Sequence, residues 1–214
     1  MAKSEAVIML ETMAQMQKQH NEQVHPHWAD QGYAYYRAIW VECAEMLDHF
    51  GWKWWKQQQG DLDQVKLELV DIWHFALSEM LRHGPMDPGV AVQLEAVKAH
   101  AFADESQRCE AFREAAEALA LSSLNTKSFE MVPFLRAMAT LPLSLEELYG
   151  LYIGKNVLNH FRQNHGYKTG DYRKLWQGRE DNEHLVEVLA ELRGESEQLP
   201  ERLYQALEAR YEAP

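Results

Sequence analysis

Proline and glycine are scarce, 7 and 11 among 214 residues, and they fall in clusters rather than at the even short intervals of a β-sandwich or barrel. Alternating runs of β-branched residues are missing too, which excludes a chain built mainly of strands. Cysteine is reduced to Cys43 and Cys109. Two thiols make neither a disulfide framework nor a metal-ligand spacing, so reduced thiols in a cytoplasmic protein are expected. No apolar run approaches the roughly 20 residues that a bilayer span needs, and the first residues lack the apolar stretch of a secretory signal. A membrane is therefore not an expected partner. Positive charge is also short: 21 Lys and Arg stand against 33 Asp and Glu, a net −12. That balance argues against a nucleic-acid partner and for cation binding or simple solubility.

What remains is helical. The spacing of apolar residues predicts an all-α fold, a helical bundle forming a single domain over residues 1–214. Val7, Ile8, Leu10, Met13 and Met16 mark a first helix over about 4–23. A second runs over about 33–49 and a third over about 62–82, ended by His83-Gly84-Pro85-Met86-Asp87-Pro88-Gly89. Residues 90–141 read as two or three Ala- and Glu-rich helices with breaks near Ala103 and Asn125. The sub-region 84–141 carries few chemical markers and is expected to serve packing or to act as a mobile lid. After Pro142, the capping pattern Ser144-Leu-Glu-Glu147 opens a helix to about Asn164. Two more follow, from Asn182 to Leu192 and from Pro200 to about Tyr211.

Two acidic pairs of one form stand out, Glu42-Cys-Ala-Glu45 and Glu68-Leu-Val-Asp71. Each is spaced i, i+3, which puts both carboxylates on one helix face. The second pair interrupts an otherwise apolar helix, and buried carboxylates are rare unless paired or bound to metal. If the two helices are antiparallel neighbours, four carboxylates meet around one point. A hard divalent cation, Mg²⁺, resolves their repulsion, since it prefers oxygen ligands.

Three further groups of residues suit a nucleotide. Gln17 and Asn21, at i and i+4, offer amide donors and acceptors to a base, although such a pair is also ordinary on a surface. Trp52, Trp54 and Trp55 make the segment after the second helix too aromatic for a plain loop; either core packing or a stacking platform explains it. Lys155, Asn159 and Arg162 lie along one helix face and open a stretch to Arg179 with six basic residues and one acid, Asp171. That is either a solvated basic face or a phosphate clamp. Acids that hold Mg²⁺, a cation that holds a polyphosphate, and basic residues for its other oxygens make an intracellular nucleotide hydrolase.

The motifs resemble those of the dimeric, all-α dUTPases, within the MazG-like pyrophosphohydrolases. The resemblance rests on Trp40-Val-Glu-Cys-Ala-Glu45, Trp52-Lys-Trp-Trp55, Glu68-Leu-Val-Asp-Ile-Trp-His-Phe75, the segment from Tyr152 through Gly154-Lys-Asn-Val-Leu-Asn-His-Phe-Arg-Gln-Asn-His-Gly-Tyr167, and Gly178-Arg-Glu-Asp-Asn-Glu183. It implies Mg²⁺-dependent hydrolysis of dUTP, and of dUDP, to dUMP by metal-activated water, which controls the dUTP pool. Glu42, Glu45, Glu68 and Asp71 would be metal ligands and catalytic acids, with Glu45 orienting the water. Gln17 and Asn21 would read uracil, and Trp52 or Trp55 would pack on the nucleotide. Lys155, Asn159, Arg162, Tyr167 and Lys174 would contact phosphates or sugar, and the enzyme would be a homodimer.

Three other readings stay open: a relative with another base preference, a di-iron bundle using Asp71-Ile-Trp-His74, and a helical interaction module without chemistry.

Overall fold

The computed structural model describes residues 3–192 and 199–212. Nine α-helices make up almost all of the regular structure among these residues: α1 Glu5–Val24, α2 Tyr35–Phe50, α3 Leu62–Leu81, α4 Gly89–Glu95, α5 Glu105–Thr126, α6 Met131–Thr140, α7 Leu145–Asn164, α8 Asp181–Glu191 and α9 Leu199–Glu212. The all-α expectation holds, and the helix ends fall close to those read from the sequence. The one exception is a hairpin of two-residue strands, β1 Leu175–Trp176 and β2 Arg179–Glu180, paired antiparallel.

Local chemistry sets the ends of the site-bearing helices. Ser4 caps α1 by accepting from the Val7 amide. Asp61 caps α3 by accepting from the amides of Asp63 and Gln64. Gly51, at φ 89°, ends α2 in a conformation that side chains other than glycine rarely adopt.

The chain divides into two compact units, Met1–Tyr149 and Gly150–Pro214, with the division inside α7. In the first unit α2 packs chiefly on α3 and α5, α5 on α6, and α1 on α3 and α4. Helix α3 is the axis of that core. Val65, Leu67, Leu69, Val70, Ile72, Trp73, Ala76 and Leu77 are all fully buried, so α3 is wrapped on nearly every side. In the second unit α8 packs on α9 and on β2. Phe161, Tyr172, Trp176 and Tyr211 form its aromatic centre, with Tyr172 and Tyr211 stacked 5.6 Å apart.

Candidate active site

Packing α2 against α3 brings Glu42, Glu68 and Asp71 together. One carboxylate oxygen from each lies within 4.8 Å of the other two. Three acids rather than four define this set: Glu45, one turn beyond Glu42, is exposed and stands outside it, although its charge reaches Glu42. Glu68 is buried, as the apolar run around it requires. His49 at the end of α2 approaches it, Nε2 to Oε1 at 3.4 Å.

The crowding has an electrostatic consequence. Burial, then the charges of Asp71, Glu68 and Glu45, push the Glu42 carboxyl up to about 9. Burial also lifts the neighbouring Cys43 thiol, helped by Glu42, to about 12, which makes it a poor nucleophile. The donor set is all oxygen. His74, which with Asp71 suggested a di-iron motif, lies outside it, and its Nδ1 meets Gln17 Oε1 at 2.6 Å. Carboxylates alone suit a hard divalent cation better than iron.

Further along α3 lies a second polar group. Gln17 and Asn21 are buried, not solvated, at 3% and 7% exposure. Gln17 Nε2 donates to Asn21 Oδ1 and to Ser78 Oγ, both at 3.0 Å, and Asn21 Nδ2 donates to Ser78 Oγ at 3.0 Å. The Tyr35 hydroxyl also neighbours Ser78; burial raises its pKa. Glu68, Asp71, Phe75 and Ser78 recur at helical spacing on one face of α3. At 1.5 Å per residue, Asp71 and Ser78 are about 10 Å apart along the axis. Sequence reasoning did not single out Ser78, and Phe75 stood in the quoted segment 68–75 without a role. The sequence carried no distinguishing signal for Ser78, one hydroxyl in a helix where Asp63, Gln64, Lys66, Glu68, Asp71, His74 and Glu79 are polar too.

The tryptophan segment is outside the core. Trp52, Trp54 and Trp55 are exposed, Trp54 at 90%, and they meet edge to face at 5.2 and 5.4 Å. Gln58 Oε1 accepts from the amides of Trp52 and Lys53, and Arg113 donates to the Gly51 carbonyl at 2.9 Å. The indoles are thus presented on a braced loop. Trp52 and Trp54 line a cleft of about 470 Å³ with Lys53, Lys56 and Arg113; Trp55 is not part of its lining.

In the second unit the basic face of α7 is built inward. Lys155 is 1% exposed and donates to Asn182 Oδ1 at 2.9 Å. Arg162 grips the fully buried Asp181 with both arms of its fork, Nε to Oδ2 and Nη2 to Oδ1, each 2.8 Å, and reaches Asn159 with Nη1 at 3.1 Å. Tyr172 adds a third hydrogen bond to Asp181, at 2.8 Å. Burial works to raise the Asp181 carboxyl, but Arg162, Tyr172 and Lys155 together hold it below its usual range. The planar fork expected to grip phosphate therefore grips a carboxylate, because a buried charge needs a partner. Tyr167 and Lys174 are exposed; the Tyr167 ring lies beside the Arg162 guanidinium, and Lys174 pairs with Glu180 at 3.1 Å. Asp181, Asn182 and Tyr172 belong to this site and were not singled out from the sequence, although Asp181 and Asn182 lie in the quoted segment 178–183.

Within this all-α fold, Glu42, Glu68 and Asp71 form a carboxylate cluster that could hold a metal ion. The family model described as dUTPase matches residues 9–167, about three quarters of the chain, so the chain belongs to the dUTPase family, the all-α kind, and is a nucleotide hydrolase acting on dUTP. A comparison with curated proteins finds no match.

Proposed function

We propose that the enzyme uses Mg²⁺, held by Glu42, Glu68 and Asp71 with Glu45 beside them, to hydrolyse dUTP and dUDP to dUMP, and so keeps the dUTP pool low. One observation carries this reading: a single face of α3 bears the acids Glu68 and Asp71 and, about 10 Å on, Ser78, against which α1 sets the buried amides of Gln17 and Asn21. That separation suits a nucleotide whose phosphates meet the acids and whose base meets Gln17 and Asn21.

The donor set supports the cation. Three carboxylates with oxygens within 4.8 Å of one another repel, and burial together with that repulsion pushes the Glu42 carboxyl up to about 9. When bound, Mg²⁺ would supply charge neutralisation for the phosphates and would acidify water. The protein's own groups do the rest. Glu45, exposed and outside the tight set, orients the attacking water and takes its proton. Gln17 and Asn21 hydrogen-bond the uracil edge. Trp52 and Trp55, already solvent-facing, pack on the nucleotide. In the second unit taken by itself, Lys155, Asn159, Arg162, Tyr167 and Lys174 are the phosphate and sugar ligands that the family resemblance implies, with Asp181 holding Arg162 in one orientation.

Free Cys43 and Cys109 support a cytoplasmic setting, and no helix among the described residues is long and apolar enough to cross a membrane. Exposed Leu121 and Leu124 on α5 and Val132 on α6 support a homodimer.

A nucleotide panel with Mg²⁺, followed by ³¹P NMR, tests the proposal. Uracil deoxynucleotides should be the best substrates, dUTP giving dUMP and diphosphate. Turnover without a divalent cation would remove the metal assignment, and inert dUDP would remove the second substrate.

A further inference from the structure

A carboxamide can turn over about its last bond, exchanging an acceptor oxygen for a donor nitrogen with almost no change of shape. For a base-reading amide this is decisive. Uracil presents acceptor, donor, acceptor along its pairing edge, whereas cytosine presents acceptor, acceptor, donor. An amide free to turn over answers either base. Selection for uracil needs something that fixes which end of the amide faces which way.

Ser78 meets that need. Its Oγ is 3.0 Å from the His74 carbonyl oxygen one turn earlier, 3.0 Å from Gln17 Nε2 and 3.0 Å from Asn21 Nδ2. A hydroxyl has one hydrogen and two lone pairs. The hydrogen goes to the His74 carbonyl, which can only accept, or to the Tyr35 hydroxyl oxygen, which also hydrogen-bonds Ser78; Asn21 Oδ1 is farther, at 3.3 Å. Both lone pairs are then left for the amides, and both amides must present nitrogen. Gln17 correspondingly turns its oxygen to His74 Nδ1 at 2.6 Å and gives its other hydrogen to Asn21 Oδ1 at 3.0 Å. If both amides turned over, two oxygens would face one hydroxyl hydrogen already committed to a third. If Asn21 alone turned over, its N–H groups would face those of Gln17. Gln17, Asn21, His74 and Ser78 are all buried, so water is not at hand to absorb the mismatch, and an unmet buried polar group carries its desolvation penalty in full.

We propose that Ser78, its hydrogen held by the His74 carbonyl or the Tyr35 hydroxyl oxygen, is a positioning residue that locks the donor–acceptor order of Gln17 and Asn21 and thereby sets uracil against cytosine. This rests on the reading of Gln17 and Asn21 as the base-reading pair.

The test is kcat and KM for dUTP and dCTP, with Mg²⁺, in the wild type, Ser78→Ala, Ser78→Thr and Asn21→Ala, with circular dichroism to establish folding. Ser78→Ala should lower the dUTP-to-dCTP ratio of kcat/KM at least tenfold, chiefly through KM. Ser78→Thr, which keeps the hydroxyl, should restore most of it. A folded Ser78→Ala with the wild-type ratio, alongside an Asn21→Ala that has lost it, overturns the lock and leaves the base-reading pair standing. An unchanged ratio in both variants overturns the base-reading pair and the lock with it. Where Ser78→Ala does not fold, Ser78→Cys takes its place. It keeps the size and offers only a weak acceptor, with the same expected loss and the same overturning result.

Discussion

Glu42 shows in one side chain what gathering carboxylates does to a protein. Its pKa is pushed above the ordinary value of 4.5 to about 9, by burial first and by its acidic neighbours after that. In the metal-free protein its contribution to stability is therefore complete below the ordinary value and is lost as pH climbs toward 9. Chelated protein should melt at falling temperature across that window. Glu68→Gln removes one of the like charges, so it should flatten the slope. At the alkaline end it should raise the Tm of the chelated protein by about 2–4 °C, the shift expected for about 1 kcal/mol in a chain of this size. Calorimetry in EDTA checks this. A lower Tm with an unchanged slope would mean that Glu68 stabilises the metal-free fold instead of straining it.

Residues also differ in how far the sequence alone exposes them. The acidic pairs were legible because carboxylates in an apolar helix break a strong rule. That Glu45 would stand outside the tight set was not, because i, i+3 spacing leaves the two side chains about 60° apart around the helix and only the packing of α2 on α3 decides which one turns inward. Gln17 and Asn21 read equally well as surface. Their burial depends on Ser78 and His74, some sixty residues later in the chain. Ser78 is a lone hydroxyl in a helix and carries no signal until α1 is placed against α3.

Among the elements, α7 and α8 are joined through the buried carboxylate of Asp181 and the neighbouring Asn182. Asp181 opens α8 and receives three hydrogen bonds, two from Arg162 on α7 and one from Tyr172. Arg162→Ala would leave that charge buried and unpaired, which typically costs about 3–5 kcal/mol. Loss of activity in that variant is thus expected even if Arg162 never touches phosphate. Arg162→Lys keeps a positive charge but not the fork, and should be the less destabilised of the two. Because the Asp181 pKa is lowered, the pair's contribution is present above the ordinary aspartate value and is lost as pH falls through the lower, folded-state value. Urea unfolding near neutral pH and again at about pH 3 checks both points: the gap between wild type and Arg162→Ala should be wide at neutral pH and should narrow in acid. Equal gaps at both would contradict a stabilising ion pair. Helix boundaries were the legible part at this scale, since caps such as Ser4 and Asp61 and breakers such as Pro142 act locally. The β1–β2 hairpin was not, because two-residue strands are too short to carry an alternating pattern.

For the molecule as a whole, the division at Tyr149–Gly150 falls within a helix. Nothing in the sequence there reads as a linker, since a division inside a continuous helix leaves no mark in composition. Net charge has a clearer meaning at this scale. A chain of −12 attracts cations to its acidic cluster and repels a nucleotide until metal and basic residues offset the phosphate charge. Activity is accordingly expected to depend on the cation more steeply than on any single side chain outside the acidic set.

The most direct measurement of the central claim is steady-state dUTP hydrolysis by Glu68→Gln beside the wild type, in saturating Mg²⁺, with folding verified and Mg²⁺ binding followed by calorimetry. If Glu42, Glu68 and Asp71 form the metal centre, turnover should fall by about three orders of magnitude or more, equivalent to about 4 kcal/mol of transition-state stabilisation, and Mg²⁺ affinity should fall with it in a protein that is still folded. Near-normal turnover with Mg²⁺ binding intact would contradict the account, since the cation would then have to be held elsewhere.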